Sequence, residues 1–309
     1  MKDYELHYAI HDVVPYINWI YFFHAWGFPP RFSTIARIHG CDACRAGWLA
    51  AFEEGERARA AEAMQLHKDA VRLLEEADAD FRTHALVALY EANADGDDLV
   101  LFTPLAPNGQ ARLPMLRQQR VQHAGDPYLC LTDFIRPLSQ GIRDRAGVFA
   151  ASVDQDLEHL YEEGAYADSY KHLLAQTLAD RLAEATAEVM HLEVRRHYWG
   201  YAPDEHLSMD ELLNEQYDGI RPAIGYPSLP DQTLNFELDR LIGFERIGIQ
   251  LTEHGAMRPH ASVSGLLLAH PQARYFGIGP IGEDQLASYA QRRGMDTATM
   301  RKFLAGNLR

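Results

Sequence analysis

HALVALYEANADGDDLVLF, residues 84–102, decides the fold class. The apolar run HALVALYEA is followed by Asp95-Gly96-Asp97-Asp98 and then by LVLF. Asp-Gly tolerates the positive φ of a tight hairpin, so the stretch predicts strand, turn and antiparallel strand. Beyond a Pro/Gly-bearing loop at 104–110, LCLTDFI (129–135) and GVFAASV (147–153) read as two further strands. The turn-rich RPLSQGIRDRA separates them. ASVSGLLLAH (261–270) and ARYFGIGPI (273–281) are also strand-like. On the N-terminal side, residues 47–81 hold no proline, and Leu66, Ala70, Leu73, Leu74 and Ala77 recur at helical spacing. They predict one long amphipathic helix. The longest helical pattern covers about 156–197, with Leu173, Leu174, Leu178, Leu182, Ala185, Val189 and Leu192 in its stripe. MDELLNEQY is a short helix, and EDQLASYAQRRG and DTATMRKFLAG close the chain as two more. Strands fall in groups with helices between them and without βαβ alternation, so the class is α+β. No repeat, low-complexity tract or linker divides residues 1–309, which predicts one domain.

The bulk properties exclude several functions. Forty-four acidic against 29 basic side chains leave a formal charge of -15, which repels a phosphate backbone and argues against nucleic acid. The start, MKDYELHYAIHDVVPY, has no basic n-region followed by an apolar h-region. No apolar run is long enough to span a bilayer. Three cysteines fit a reducing cytoplasm better than a disulfide scaffold. A cytoplasmic protein without membrane contact is expected.

Signatures of catalysis are missing: no Gly-rich phosphate loop, no GxSxG elbow, no HExxH. The nearest thing to a metal cluster is His39-Gly40-Cys41-Asp42-Ala43-Cys44, with His24 upstream. A closed structural zinc site wants four ligands, so the cluster reads as a loop with two ordinary thiols, and no metal is expected. GIRPAIGYPSLP (219–230) is more unusual. Pro222, Pro227 and Pro230 with Gly219 and Gly225 impose an extended backbone that is neither helix nor central strand. Such a loop can present Arg221, whose planar fork suits a carboxylate. An ordinary surface ion pair is the alternative meaning.

YINWIYFFHAW, LYEANADGDDL, LADRLAEATAEVMH, VRRHYWGYAPDEHLS, NEQYDGIRPAIGYPSLPD, ASVSGLLLAHPQARYF and YAQRRGM occur in one order from about residue 14 onward. Together they resemble the activation domain of cobalamin-dependent methionine synthase. The resemblance implies a C-shaped domain with a twisted antiparallel sheet flanked by long helices. It implies binding of S-adenosylmethionine, which with one electron from a flavodoxin-like donor remethylates oxidised cobalamin held by a partner protein. The sulfonium already activates the methyl, so the domain supplies position and no acid or base.

By matching positions, the resemblance places Arg221 on the ligand carboxylate. It lays Tyr275 and Phe276 along the bound molecule and closes the pocket with Tyr226. Glu184 and Glu215 match acidic positions near the ligand and the docked corrinoid, although a solvated helix carboxylate is the plainer meaning of each. Asp180 and Asp156 match positions that receive the corrinoid module's displaced histidine. Three departures stand out. Asn18 replaces the family's aspartate at the ligand ammonium. Arg258 and His260 alter a loop on the corrinoid face. Residues 28–60 carry an insertion with the CxxC. The expected function is therefore a reactivation subunit of a split methionine synthase, acting in trans on its corrinoid-binding modules. One rival reading is a reactivator of another corrinoid methyltransferase. The other, favoured by Asn18, is a paralogue that has lost the ligand and serves as a scaffold. Arg292, Arg293, Arg301 and Lys302 on the last two helices are the expected landing patch for an acidic electron donor.

Overall fold

The computed structural model describes residues 2–121, 123 and 125–308. Its main sheet is antiparallel with six strands. They are β1 (Lys2–Ala9), β2 (Arg82–Asp95), β3 (Asp98–Phe102), β4 (Gln110–Pro114), β5 (Asp144–Val153) and β8 (Ser262–Leu267). A separate two-stranded ribbon pairs β6 (Gln250–Leu251) with β7 (Met257–Arg258). β2 is the spine of the sheet. One of its edges takes β1 along Arg82–Leu89 and then β3 along Glu91–Asp95, and its other edge takes β5. The expected hairpin closes at Asp95–Asp98, where Gly96 has φ +60.

Both faces of β2 are covered. Ala85, Val87 and Leu89 enter one core cluster, and Leu86, Ala88 and Tyr90 enter the other. With apolar partners on either side, the strand has no solvent face to mark with polar residues, which is why the run from Ala85 to Tyr90 does not alternate.

Among the described residues, ten α-helices surround the sheet. They are α1 (Ile10–Val13), α2 (Trp19–Ala25), α3 (Asp42–Ala50), α4 (Arg57–Ala77), α5 (Gln155–Glu158), α6 (Ser169–Glu193), α7 (Met209–Leu213), α8 (Leu234–Ile242), α9 (Glu283–Arg293) and α10 (Thr297–Phe303). α4 and α6 bury their apolar stripes in the first cluster and α8 in the second. α9 and α10 close a third around Leu286, Tyr289 and Met300. Leu178 and Leu182 of α6 are completely buried, so truncating either to alanine costs roughly 2–5 kcal/mol. The start of α6 is set by Asp168, whose carboxylate accepts from the Tyr170 and Lys171 N–H groups.

The α+β reading holds, and several boundaries are corrected. The 47–81 helix is two, α3 and α4, because the chain turns between them so that Phe52 stacks on Phe32 at 5.1 Å and meets Trp48 edge-on. The 156–197 pattern starts as a helix only at Ser169. Tyr161 and Gly164 take positive φ and end the short α5 segment, which periodicity alone does not reveal. LCLTDFI is a 3-10 turn over Leu131–Phe134, stabilised by the Asp133 carboxylate accepting from Cys130 N–H. ARYFGIGPI forms no regular strand, and only Ile281 makes an isolated bridge, to Leu308. β1 carries no hairpin signal of its own and pairs across a long sequence separation.

Candidate functional site

The segment after α7 runs along the free edge of β8. Ile220 and Leu268 exchange N–H···O bonds at 2.8 and 3.0 Å, Leu266 N–H donates to Pro222 O at 3.0 Å, and Ile224 N–H to Ser264 O at 2.8 Å. Two glycines permit this close approach. A Cβ on Gly265 would lie 2.2 Å from Pro222 O. At Gly219, with φ +84, it would meet Leu268 O at 2.5 Å. The edge pairing fixes the backbone of Arg221, and its amide donates to the Tyr275 hydroxyl at 3.0 Å.

Between this edge, α6 and the Tyr275–Gly277 strip lies a cavity of about 670 Å3. Arg221, Glu215, Glu184, Tyr226, Tyr275 and Phe276 all line it, so six of the seven positions expected to hold the ligand converge. Phe149 of β5 and Val263 of β8 add apolar wall, and Tyr21 of α2 stands at the rim. Asn18 is not among the lining residues. It caps α2 instead, its Oδ1 accepting from Ile20 N–H at 3.1 Å.

The charges are paired. Arg221 Nη2 donates to Glu188 at 2.5 Å and Nη1 to the Tyr217 hydroxyl at 2.9 Å. Glu188 is buried, and its second oxygen has no hydrogen-bond partner. Below the pair, His191 is completely buried. Burial, then the charges of Arg195 and Arg221, hold its pKa well below the usual value, so the ring is neutral. A ring that accepts at Nδ1 from Arg221 and donates from Nε2 toward Tyr201 fits both 3.4 Å contacts. Arg195 forks onto Glu205 and lies over the Tyr217 ring at 4.0 Å. On the opposite wall, Glu184 accepts from Arg181 at 2.7 Å and from the Tyr226 hydroxyl at 3.1 Å. Burial pushes Tyr226 up to about 12 and also raises Glu215.

A second cavity of about 250 Å3 shares Glu184, Tyr226 and Val263 with the first and is lined as well by Asp180 and His260. His260 Nδ1 lies 3.3 Å from Asp180. Arg258 is exposed in β7, and Asp156 is exposed on α5, lining neither cavity. Neighbouring Glu158 accepts from the His260 and Ala261 amides.

Sequence reasoning missed Glu188, His191 and Tyr217. The spacing of Glu184 and Glu188, one helical turn apart on α6, was the available signal. The four residues of the expected basic patch differ in their surroundings. Arg292 pairs with Asp98, Arg301 with Glu283, and buried Arg293 with Asp231 and Glu237. Arg292 and Arg293 are shielded in these pairs, whereas Arg301 and Lys302 stay exposed. In the inserted segment, a hydrogen bond with the His39 side chain lowers the Cys41 thiol to about 7.

These features define an α+β domain with a polar and aromatic groove between its longest helix and a sheet edge. A family model described as vitamin B12 dependent methionine synthase, activation domain, matches residues 9–294, and the chain belongs to that family. A solved structure described as the MetH reactivation domain bound to AdoHcy aligns with a TM-score of 0.85 and 34% identity. The alignment covers 100% of this chain and 90% of that one. No helix among the described residues is long and apolar enough to cross a membrane.

Proposed function

We propose that the chain binds S-adenosylmethionine in the 670 Å3 cavity and positions its methyl group for reductive remethylation of cobalamin on corrinoid-binding methionine synthase modules. The convergence of Arg221, Glu215, Glu184, Tyr226, Tyr275 and Phe276 on one cavity carries this reading. The volume lies within the roughly 300–1,000 Å3 of small-molecule sites, and the donor set suits the ligand. Arg221 keeps its Nε–H and one Nη2 N–H for a carboxylate beside Glu188. Glu184 and Glu215 offset the sulfonium, and the aromatic rings supply flat apolar surface for the adenosyl group. The solved relative with AdoHcy supports the same assignment.

The ligand supplies an activated methyl and the partner's reduced cobalt the nucleophile. This chain's residues bind, orient and exclude water. Asp180 and His260 at the adjoining cavity, with Arg258 and Asp156 further out, form the docking face for the corrinoid module. A flavodoxin-like protein supplies the electron, and the chain works in trans in the cytoplasm as one domain. Calorimetry with S-adenosylmethionine tests the binding step. Saturable binding that Arg221→Ala removes supports it, and no binding at millimolar ligand favours the scaffold reading.

A further inference from the structure

His39, Cys41 and Cys44 lie outside the cavity and take no part in the proposed ligand site. One ligand-type atom from each lies within 4.8 Å of the other two. We propose that these three side chains bind a borderline-soft divalent cation, zinc(II) above all, leaving the fourth position open to water or to a donor from a partner.

The donor set selects the class of ion. Thiolate and imidazole suit zinc, whereas magnesium and calcium take oxygen ligands. Dimensions agree to within a small movement. Tetrahedral zinc with ordinary Zn–S and Zn–N bonds has ligand–ligand edges of about 3.5–3.8 Å, so no edge of the triangle must contract by more than about 1.3 Å. The local fold presents the two sulfurs together. Cys41 is the N-cap of α3 and its Sγ accepts from Cys44 N–H at 3.4 Å, which puts both thiols on the first turn of one helix. That helix is anchored by buried Trp48, whose indole N–H donates to Thr34 Oγ1 at 2.9 Å and whose ring meets Phe52 edge-on at 4.7 Å. The ligands thus stand on a packed platform while the thiols face solvent.

A Cys41–Cys44 disulfide is the competing use of a CxxC turn. It leaves His39 without a part, whereas a cation uses all three groups. Three ligands among the described residues are also one short of a closed structural site, so the bound ion keeps an exchangeable position.

The test uses the whole chain, reduced and freed of metal with a chelator. Titration with zinc(II) is expected to show one equivalent bound. Cobalt(II) as a probe is expected to give tetrahedral d–d bands and a thiolate charge-transfer band in the near ultraviolet. Cys41→Ser, Cys44→Ser and His39→Ala should each weaken zinc binding at least about tenfold, since each removes one of three ligands. Because these side chains are exposed, circular dichroism should report an unchanged fold. S-adenosylmethionine affinity, measured in parallel, should stay the same in all three variants. Zinc uptake that is indifferent to the serine substitutions, or cobalt spectra without the charge-transfer band, overturns the proposal. So does a reduced chain that takes up no zinc and only closes a disulfide in air.

Discussion

Arg221 Nη2 lies 2.5 Å from the carboxylate of Glu188, so the arginine expected to clamp the ligand is already held by an acid from α6. The pair is partly shielded, with 19% and 6% of the two side chains exposed. It points the guanidinium into the cavity without using all its N–H groups. Arg221→Ala should therefore weaken S-adenosylmethionine binding by roughly 2–4 kcal/mol, because the ligand carboxylate loses a charged partner. Glu188→Gln should behave differently. It should lower the thermal midpoint while leaving saturable binding in place, since the arginine remains. Calorimetry beside thermal unfolding separates the two effects, and equal loss of binding in both variants contradicts this division of labour.

Asn18 caps α2 through Oδ1. Aspartate caps equally well, so Asn18→Asp should leave stability within about 0.5 kcal/mol while adding a charge at the start of α2. S-adenosylmethionine binding should tighten by up to about tenfold if the added carboxylate reaches the ligand ammonium. Weaker binding in the variant means that the ammonium lies elsewhere.

Histidine burial sets a pH dependence. Burial lowers His67 to about 4 and also holds His191 well below its usual value. Below about pH 6.5 the unfolded chain takes up protons that the folded chain refuses, so stability falls as pH falls from about 6.5 toward 4. His67→Gln should flatten that part of the curve in urea unfolding measured between pH 4 and 8. An unchanged slope argues that His67 is protonated in the fold.

Docking should separate from ligand binding. The chain alone should transfer no methyl to homocysteine. With corrinoid-binding modules in the cob(II)alamin state, a reductant and S-adenosylmethionine, it should produce methylcobalamin, read by absorbance. Replacing exposed Arg258 by Trp and His260 by Gly should shift affinity for the modules more than affinity for the ligand, because neither lines the larger cavity. The reverse order of effects places that loop in the ligand site.

Arg293 should matter to the fold more than to any partner. Its side chain is 5% exposed and meets Asp231, itself 1% exposed, at 3.2 Å. Removing one member of such a pair leaves an uncompensated charge, so Arg293→Ala should cost about 3–5 kcal/mol in denaturant unfolding. A near-neutral result shows that the pair is solvated in solution.

Much of the architecture was legible along the chain. The Asp95-Gly96 turn announced the β2–β3 hairpin, GVFAASV and ASVSGLLLAH announced β5 and β8, and the terminal helices carried their own caps. These signals are local, because turn geometry, capping and periodicity are properties of neighbouring residues. LCLTDFI and ARYFGIGPI show the limit. Both are apolar enough for a strand, yet neither enters a ladder beyond the single Ile281–Leu308 bridge, and pairing is a property of two segments.

The amino-acid sequence by itself determined the α+β class, the family resemblance and six side chains that meet in one cavity. It did so because the GIRPAIGYP and ARYF segments carry their chemistry in contiguous residues. Only the tertiary structure decided what those side chains face. It set Glu188 against Arg221, buried His191 beneath them and turned Asn18 to its helix cap. It also drew Arg292 and Arg293 into shielded ion pairs with Asp98, Asp231 and Glu237. Ion pairs and buried networks depend on distance and solvent exclusion between segments far apart in the chain, quantities that no local pattern encodes.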